Sequence, residues 1–195
     1  SPGAGKTETS KRFIENIQKR SNLGIVRIDA DEIRELCPGY NGQNSSIYQA
    51  AATLGVNKLY DYINKKKFNA LVDGTFAKEK YAFENIDRAL KHKRLIYILY
   101  IFQDPLTAWE FTLKREALEN RKITLDVFIK SFLESKNNVQ KVKDKYKNRI
   151  FVNIIVKNKH NKTEKVELGI ENIDDHIKFN YTYDSLYAIL KEIKI

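Results

Sequence analysis

Seven residues at the head of the chain, Ser1-Pro2-Gly3-Ala4-Gly5-Lys6-Thr7, narrow its fold more than any other stretch. Gly5-Lys6-Thr7 fits the end of the phosphate-binding loop pattern: a glycine, any four residues, then Gly-Lys-Ser/Thr. The first glycine of that pattern, and the strand that feeds the loop, are expected upstream of Ser1. Gly3 and Gly5, with Ala4 between them, let the backbone turn tightly and bring N–H groups close to phosphate oxygens. Phe13, Ile14 and Ile17 form an apolar stripe at helical spacing. A helix therefore follows the loop and points its partly positive N-terminus at the same anion. In this pattern Lys6 bridges the β- and γ-phosphates and the Thr7 hydroxyl holds Mg²⁺.

The rest of the chain alternates between strand and helix patterns. Ile25–Ile28 reads as a strand ending at Asp29-Ala30-Asp31. A helix is expected from about Ser45 to Lys65, with Ile47, Ala51, Leu54, Leu59 and Ile63 tracking one face. Ala70-Leu71-Val72 is a short strand ending at Asp73-Gly74-Thr75, and Lys78–Lys91 a helix. Leu95–Phe102 is an unbroken apolar run, as in a parallel strand covered on both faces. Asp104-Pro105 looks like an N-cap with proline at the first helical position, opening a helix that carries Trp109 and Leu113. Thr124–Arg149 is mostly helical, Ile150–Val156 a strand, Lys157–Thr163 a polar turn and Asp184–Ile193 a closing helix.

Such alternation implies an α/β fold: a three-layer P-loop NTPase architecture, its mostly parallel sheet flanked by helices and its first strand upstream. The 195 residues, without internal repeat or linker, suit a single P-loop kinase domain over 1–195.

The net charge of +10 comes mainly from dispersed lysines, as in Lys65-Lys66-Lys67. These runs read as solvated helix ends rather than a nucleic-acid surface, and no aromatic–basic RNA-binding signature is present. A single cysteine, Cys37, excludes an internal disulfide framework and suits the cytoplasm. No run of about 18 apolar residues suggests a membrane span.

Parallel sheets bind ligands beyond the carboxyl ends of their strands. Asp31 follows the strand Ile25–Ile28, where a carboxylate can accept the proton of an attacking hydroxyl. Arg34 can position Asp31 or touch phosphate, and Asp29 can bind metal or cap the next helix. Asp73, at the next strand end, resembles a carboxylate that reaches Mg²⁺, or can hold substrate hydroxyls together with Thr75. Arg115 and Arg121 lie where a P-loop kinase places a lid, suited to stabilise charge on a moving phosphoryl group.

The set Ser1–Thr7, Ile28-Asp29-Ala30-Asp31-Glu32-Ile33-Arg34, Val72-Asp73-Gly74-Thr75-Phe76 and the arginines of Lys114–Arg121 resembles the zeta toxin family. The resemblance covers roughly residues 1–135. It implies phosphorylation of UDP-N-acetylglucosamine at the sugar 3′-hydroxyl with ATP and Mg²⁺, a toxicity that blocks cell-wall precursor supply, and a protein antitoxin. Asp31 would be the general base, Lys6 and Thr7 would hold phosphates and metal, and Asp73 and Thr75 would contact substrate. Arg115 and Arg121 would neutralise the phosphoryl group. One departure is Asp73, where the family often has glutamate; the missing methylene shortens the reach by about 1.5 Å. Two other readings fit the residues: a kinase of nucleic-acid 5′-hydroxyls, and a non-catalytic nucleotide-binding interaction module.

Overall fold

The computed structural model describes residues 2–119 and 123–193. In chain order, α1 is Lys6–Ser21, β1 Ile25–Asp29, α2 Ala30–Glu35, α3 Gln49–Lys66 and β2 Asn69–Asp73. Then come α4 (Glu79–Lys91), β3 (Tyr97–Phe102), α5 (Pro105–Glu119) and α6 (Leu125–Tyr146). Finally β4 is Phe151–Lys157, β5 Thr163–Glu167 and α7 Tyr183–Leu190.

β1 and β2 pair in parallel, from Ile25 opposite Asn69 to Asp29 opposite Asp73. β3 and β4 also pair in parallel, from Tyr97 opposite Phe151 to Phe102 opposite Val156, and β5 adds antiparallel to β4. Helices make the crossovers that parallel strands require. The expected α/β class with flanking helices is therefore present, although the strands form two small sheets, β1-β2 and β3-β4-β5. Between them lies an apolar groove of about 900 Å³, lined among others by Phe13, Ile25, Leu71, Val72, Tyr97 and Leu99. The run 95–102 is thus not covered on both faces throughout: Leu95 is 68% exposed and Tyr97 57%.

Two clusters make the core. Ala82 and Ile86 of α4 and Val139, Val142 and Tyr146 of α6 pack on Tyr100, Val152 and Ile154 of the second sheet. Nearer the start of α6, Phe128 and Phe132 pack with Trp109 of α5 and Leu186 and Leu190 of α7. Each buried Val, Leu, Ile or Phe among them contributes roughly 1.5–3 kcal/mol, and α6, which supplies residues to both clusters, joins the two parts of the apolar interior. Its start is fixed by Thr124, whose hydroxyl accepts from Val127 N. The expected cap at Asp104 is present too: its Oδ1 accepts from Leu106 N at 3.1 Å and Thr107 N at 3.2 Å.

Two expectations need correction. α3 begins at Gln49 rather than Ser45, because Asn44 is engaged in turn bonds with Asn41 and Gly39. Its buried residues are Ala52, Ile63 and Asn64, whereas Ile47 is 76% exposed and Leu54 57%. Ala50-Ala51-Ala52 offers more than one helical register, and packing selected Ala52. β5 was absent from the sequence reading: Thr163-Glu164-Lys165-Val166-Glu167 is an edge strand with mostly solvated side chains, so it carries no apolar alternation.

Candidate active site

The loop before α1 turns through two left-handed residues, Gly3 at φ +69° and Gly5 at φ +68°. Contact also excludes a side chain at Gly3, since a Cβ there would lie 1.9 Å from the Ala108 carbonyl oxygen of α5. Ala4 is fully buried beside it. Gly5 caps α1, and its carbonyl accepts from Thr9 N at 3.1 Å and Thr9 Oγ1 at 2.8 Å. The β4–β5 turn reaches the same place. Asn161 lies against Gly5, where a Cβ would come within 2.3 Å of its Oδ1, and Asn161 Nδ2 donates to Glu8 Oε2 at 3.2 Å.

Beyond the end of β1, a cleft of about 450 Å³ is lined by Thr7, Arg27, Asp29, Asp31, Tyr40 and Arg115, among others. Asp29 caps α2, its Oδ1 accepting from Asp31 N at 2.9 Å. This bond fixes Asp31 in the first turn of α2. Arg34, buried one turn later, donates from Nη1 to Asp31 Oδ1 and from Nη2 to Gln49 Oε1 at 2.5 Å. A buried guanidinium thus holds the Asp31 carboxylate from behind while α3 holds the guanidinium.

Arg27 occupies the middle of β1. Its Nη2 donates to Asp29 Oδ2 at 2.5 Å and to Asp73 Oδ2 at 2.6 Å. Its Nη1 donates to Glu32, and its Nε to Ser10 Oγ at 3.1 Å. Ser10 Oγ in turn donates to Asp73 at 3.0 Å, tying β2 to α1. Burial opposes the Arg27 charge, but Asp73, Asp29 and Glu32 outweigh it and raise the guanidinium pKa. Burial pushes the Asp29 carboxyl up, with the Asp31 N–H acting against it. The Lys6 ammonium is lowered to about 8 by burial; Asp73 opposes the shift most and Arg115 adds to it.

Thr7, Asp29, Asp31 and Arg115 therefore share one cleft, with Lys6 within the electrostatic reach of its charged groups. Arg34 stands behind Asp31. Asp73 is engaged by Arg27 and Ser10, and Thr75 lines the groove between the sheets, its Oγ1 accepting from Ala77 N at 3.5 Å. Arg121 lies outside the described residues. The sequence reading missed Arg27, Tyr40 and Asn161 as members of this region. Arg27 alone left a signal, a charge inside the apolar strand Ile25-Val26-Arg27-Ile28.

Thr7, at the start of α1, lines the cleft, and its hydroxyl would suit Mg²⁺ held with nucleotide phosphates. Asp29 and Asp73 suit it less, since both already hold the Arg27 guanidinium. Among the described residues, no cluster of three or more His, Cys, Asp or Glu side chains is arranged to hold a metal. No helix among them is long and apolar enough to cross a membrane.

Comparison with known proteins bears on the fold and the family. A solved structure from the molecular and structural characterization of the PezAT chromosomal toxin–antitoxin system of Streptococcus pneumoniae is similar, with a TM-score of 0.64 at 16% identity. The match covers 99% of this chain and 76% of that one, and at this identity it establishes the P-loop kinase-like fold alone. No curated protein matches the sequence. The family model described as Zeta toxin matches residues 1–167, a span that takes in the loop, both aspartate-bearing strand ends and the β4–β5 hairpin. The chain belongs to the zeta toxin family.

Proposed function

We propose that this protein transfers the γ-phosphoryl group of ATP to the 3′-hydroxyl of UDP-N-acetylglucosamine or a similar UDP-amino sugar. The observation that carries the reading is Asp31. Its carboxylate is held by buried Arg34 in the cleft that Thr7 of the phosphate loop and Arg115 also line.

In this reading the loop backbone and Lys6 take the nucleotide phosphates. Thr7 holds Mg²⁺, which offsets phosphate charge. Asp31 takes the proton of the acceptor hydroxyl as the new O–P bond forms and the bond to ADP breaks. Arg115 faces the negative charge that grows on the phosphoryl oxygens, a role assigned to Arg121 as well from its sequence position alone. Positioning and charge stabilisation account for such a transfer without a covalent enzyme intermediate. Drainage of a UDP-sugar needed for cell-wall synthesis would make the activity toxic. The similar structure comes from a toxin–antitoxin system, which supports an antitoxin protein as partner.

Phosphorus NMR on the protein with ATP, Mg²⁺ and UDP-N-acetylglucosamine tests the reading. A new phosphomonoester resonance, absent in Asp31→Asn, is expected. ATP consumption without that resonance would move the acceptor elsewhere, with oligonucleotide 5′-hydroxyls tested next. Neither product nor ATP consumption would favour a nucleotide-binding module.

A further inference from the structure

In P-loop phosphotransferases a carboxylate ending an apolar strand beside the loop commonly holds the metal ion. Here two such carboxylates, Asp29 and Asp73, stand on one rung of the β1–β2 ladder. One nitrogen of Arg27 bonds both. The arginine side chain is only 9% exposed and that of Asp73 only 7%. The guanidinium is anchored further by Ser10 and Glu32, and it cannot lose its proton at any pH a protein survives.

The charges around it are already balanced. Asp29, Asp31, Glu32 and Asp73 stand with Lys6, Arg27, Arg34 and Arg115. A divalent ion that took Asp29 and Asp73 would have to displace the guanidinium or sit against it. Displacement would leave a buried cation without its bonds, and close approach sets like charges together.

We infer that Arg27 is a built-in counter-ion that takes the place of a carboxylate-held divalent cation at the ends of β1 and β2. Thr7 and the nucleotide phosphates are left to hold a single Mg²⁺. Arg27 is thus a positioning residue that sets the metal count of the site. The inference rests on the kinase reading for its nucleotide, but the ion count is measured without any acceptor.

Mn²⁺ serves as the probe, counted by electron paramagnetic resonance with and without a non-hydrolysable ATP analogue. The wild-type protein should bind one Mn²⁺ per chain, only when the analogue is present. Arg27→Gln should gain one nucleotide-independent Mn²⁺, lost again in Arg27→Gln/Asp73→Asn, whereas Arg27→Lys should keep the wild-type count. A folded Arg27→Gln with no gained ion, or a second ion on the wild type, would overturn the inference. Should Arg27→Gln not fold, Asp73→Asn decides in its place. Mn²⁺ affinity of its nucleotide complex should stay within twofold of wild type, and a tenfold loss would show that Asp73 carries the metal. Absence of nucleotide binding would sink the kinase reading instead, while the nucleotide-free arms would still read the role of Arg27.

Discussion

Asp29 and Asp73 face each other across the parallel β1–β2 ladder, the last rung of that pair. Like charges placed directly opposite destabilise a sheet. Arg27 lies two residues before Asp29 and so projects from the same face of the strand, which lets its guanidinium bond both carboxylates.

Removing that guanidinium leaves two largely buried carboxylates without their cation. Arg27→Leu should lose about 3 kcal/mol of stability, the lower part of the range for breaking a buried ion pair. Urea unfolding followed by circular dichroism measures it. Arg27→Leu/Asp73→Leu should recover part of the loss, because it removes one of the two stranded carboxylates and leaves Asp29 alone.

Asp29 has a raised pKa, chiefly from burial. The folded state therefore keeps this proton to higher pH than the unfolded chain does. Ionisation of Asp29 lowers stability as pH rises through the carboxylate range, and the loss is complete above the folded pKa. Asp29→Asn removes that ionisation yet keeps an oxygen to cap α2. It should be at least as stable as wild type at pH 7, while Asp29→Ala should lose about 1 kcal/mol with the cap. Thermal melts at pH 4 and pH 7 separate the two.

Lys6 has its pKa lowered to about 8, mainly by burial. Here the sign favours high pH for the empty protein. The folded chain loses this proton before the unfolded chain does, so stability rises as pH climbs from about 8 toward 10.5. Phosphate binding needs the charged form, so ATP affinity should fall above pH 8 by up to about tenfold per pH step. Isothermal titration calorimetry between pH 7 and 10 should show that slope in the wild type and a flat, weaker profile in Lys6→Met.

Asp31→Asn keeps shape and removes the proton acceptor. The rate constant kcat should fall by about 10²–10⁴-fold, the usual contribution of a general base, with ATP binding unchanged within twofold. Arg34→Gln, which leaves Asp31 in place without its anchoring cation, should lose less. Steady-state kinetics with the sugar nucleotide, alongside ATP titrations, checks both.

The loop, the helix after it and the aspartates at two strand ends were legible because each is a local pattern: glycine spacing, apolar period, polar residue after an apolar run. The union of Thr7, Asp31 and Arg115 in one cleft followed from strand alternation, since parallel strands deliver their carboxyl ends to the same side. What Asp73 does was not legible. Its partner Arg27 is 46 residues away and meets it only through strand register. The inward face of α3 was misread for a related reason: an alanine-rich helix leaves the choice of buried stripe to its neighbours. Asn161 gave no sign at all, since a polar turn looks the same whether it meets water or a glycine loop.

That last contact bears on how the molecule folds. Glu8 and Asn161 are 153 residues apart in the chain. The turn that presents Asn161 is set by Asn158, whose side chain accepts from His160 N and Lys162 N and whose carbonyl accepts from Gln103 at the end of β3. The phosphate loop thus gains its cover only after β3, β4 and β5 have assembled, and closing so long a span is slow. Local helices are expected to form early on such a chain, and closure of the glycine loop only when its distant end docks.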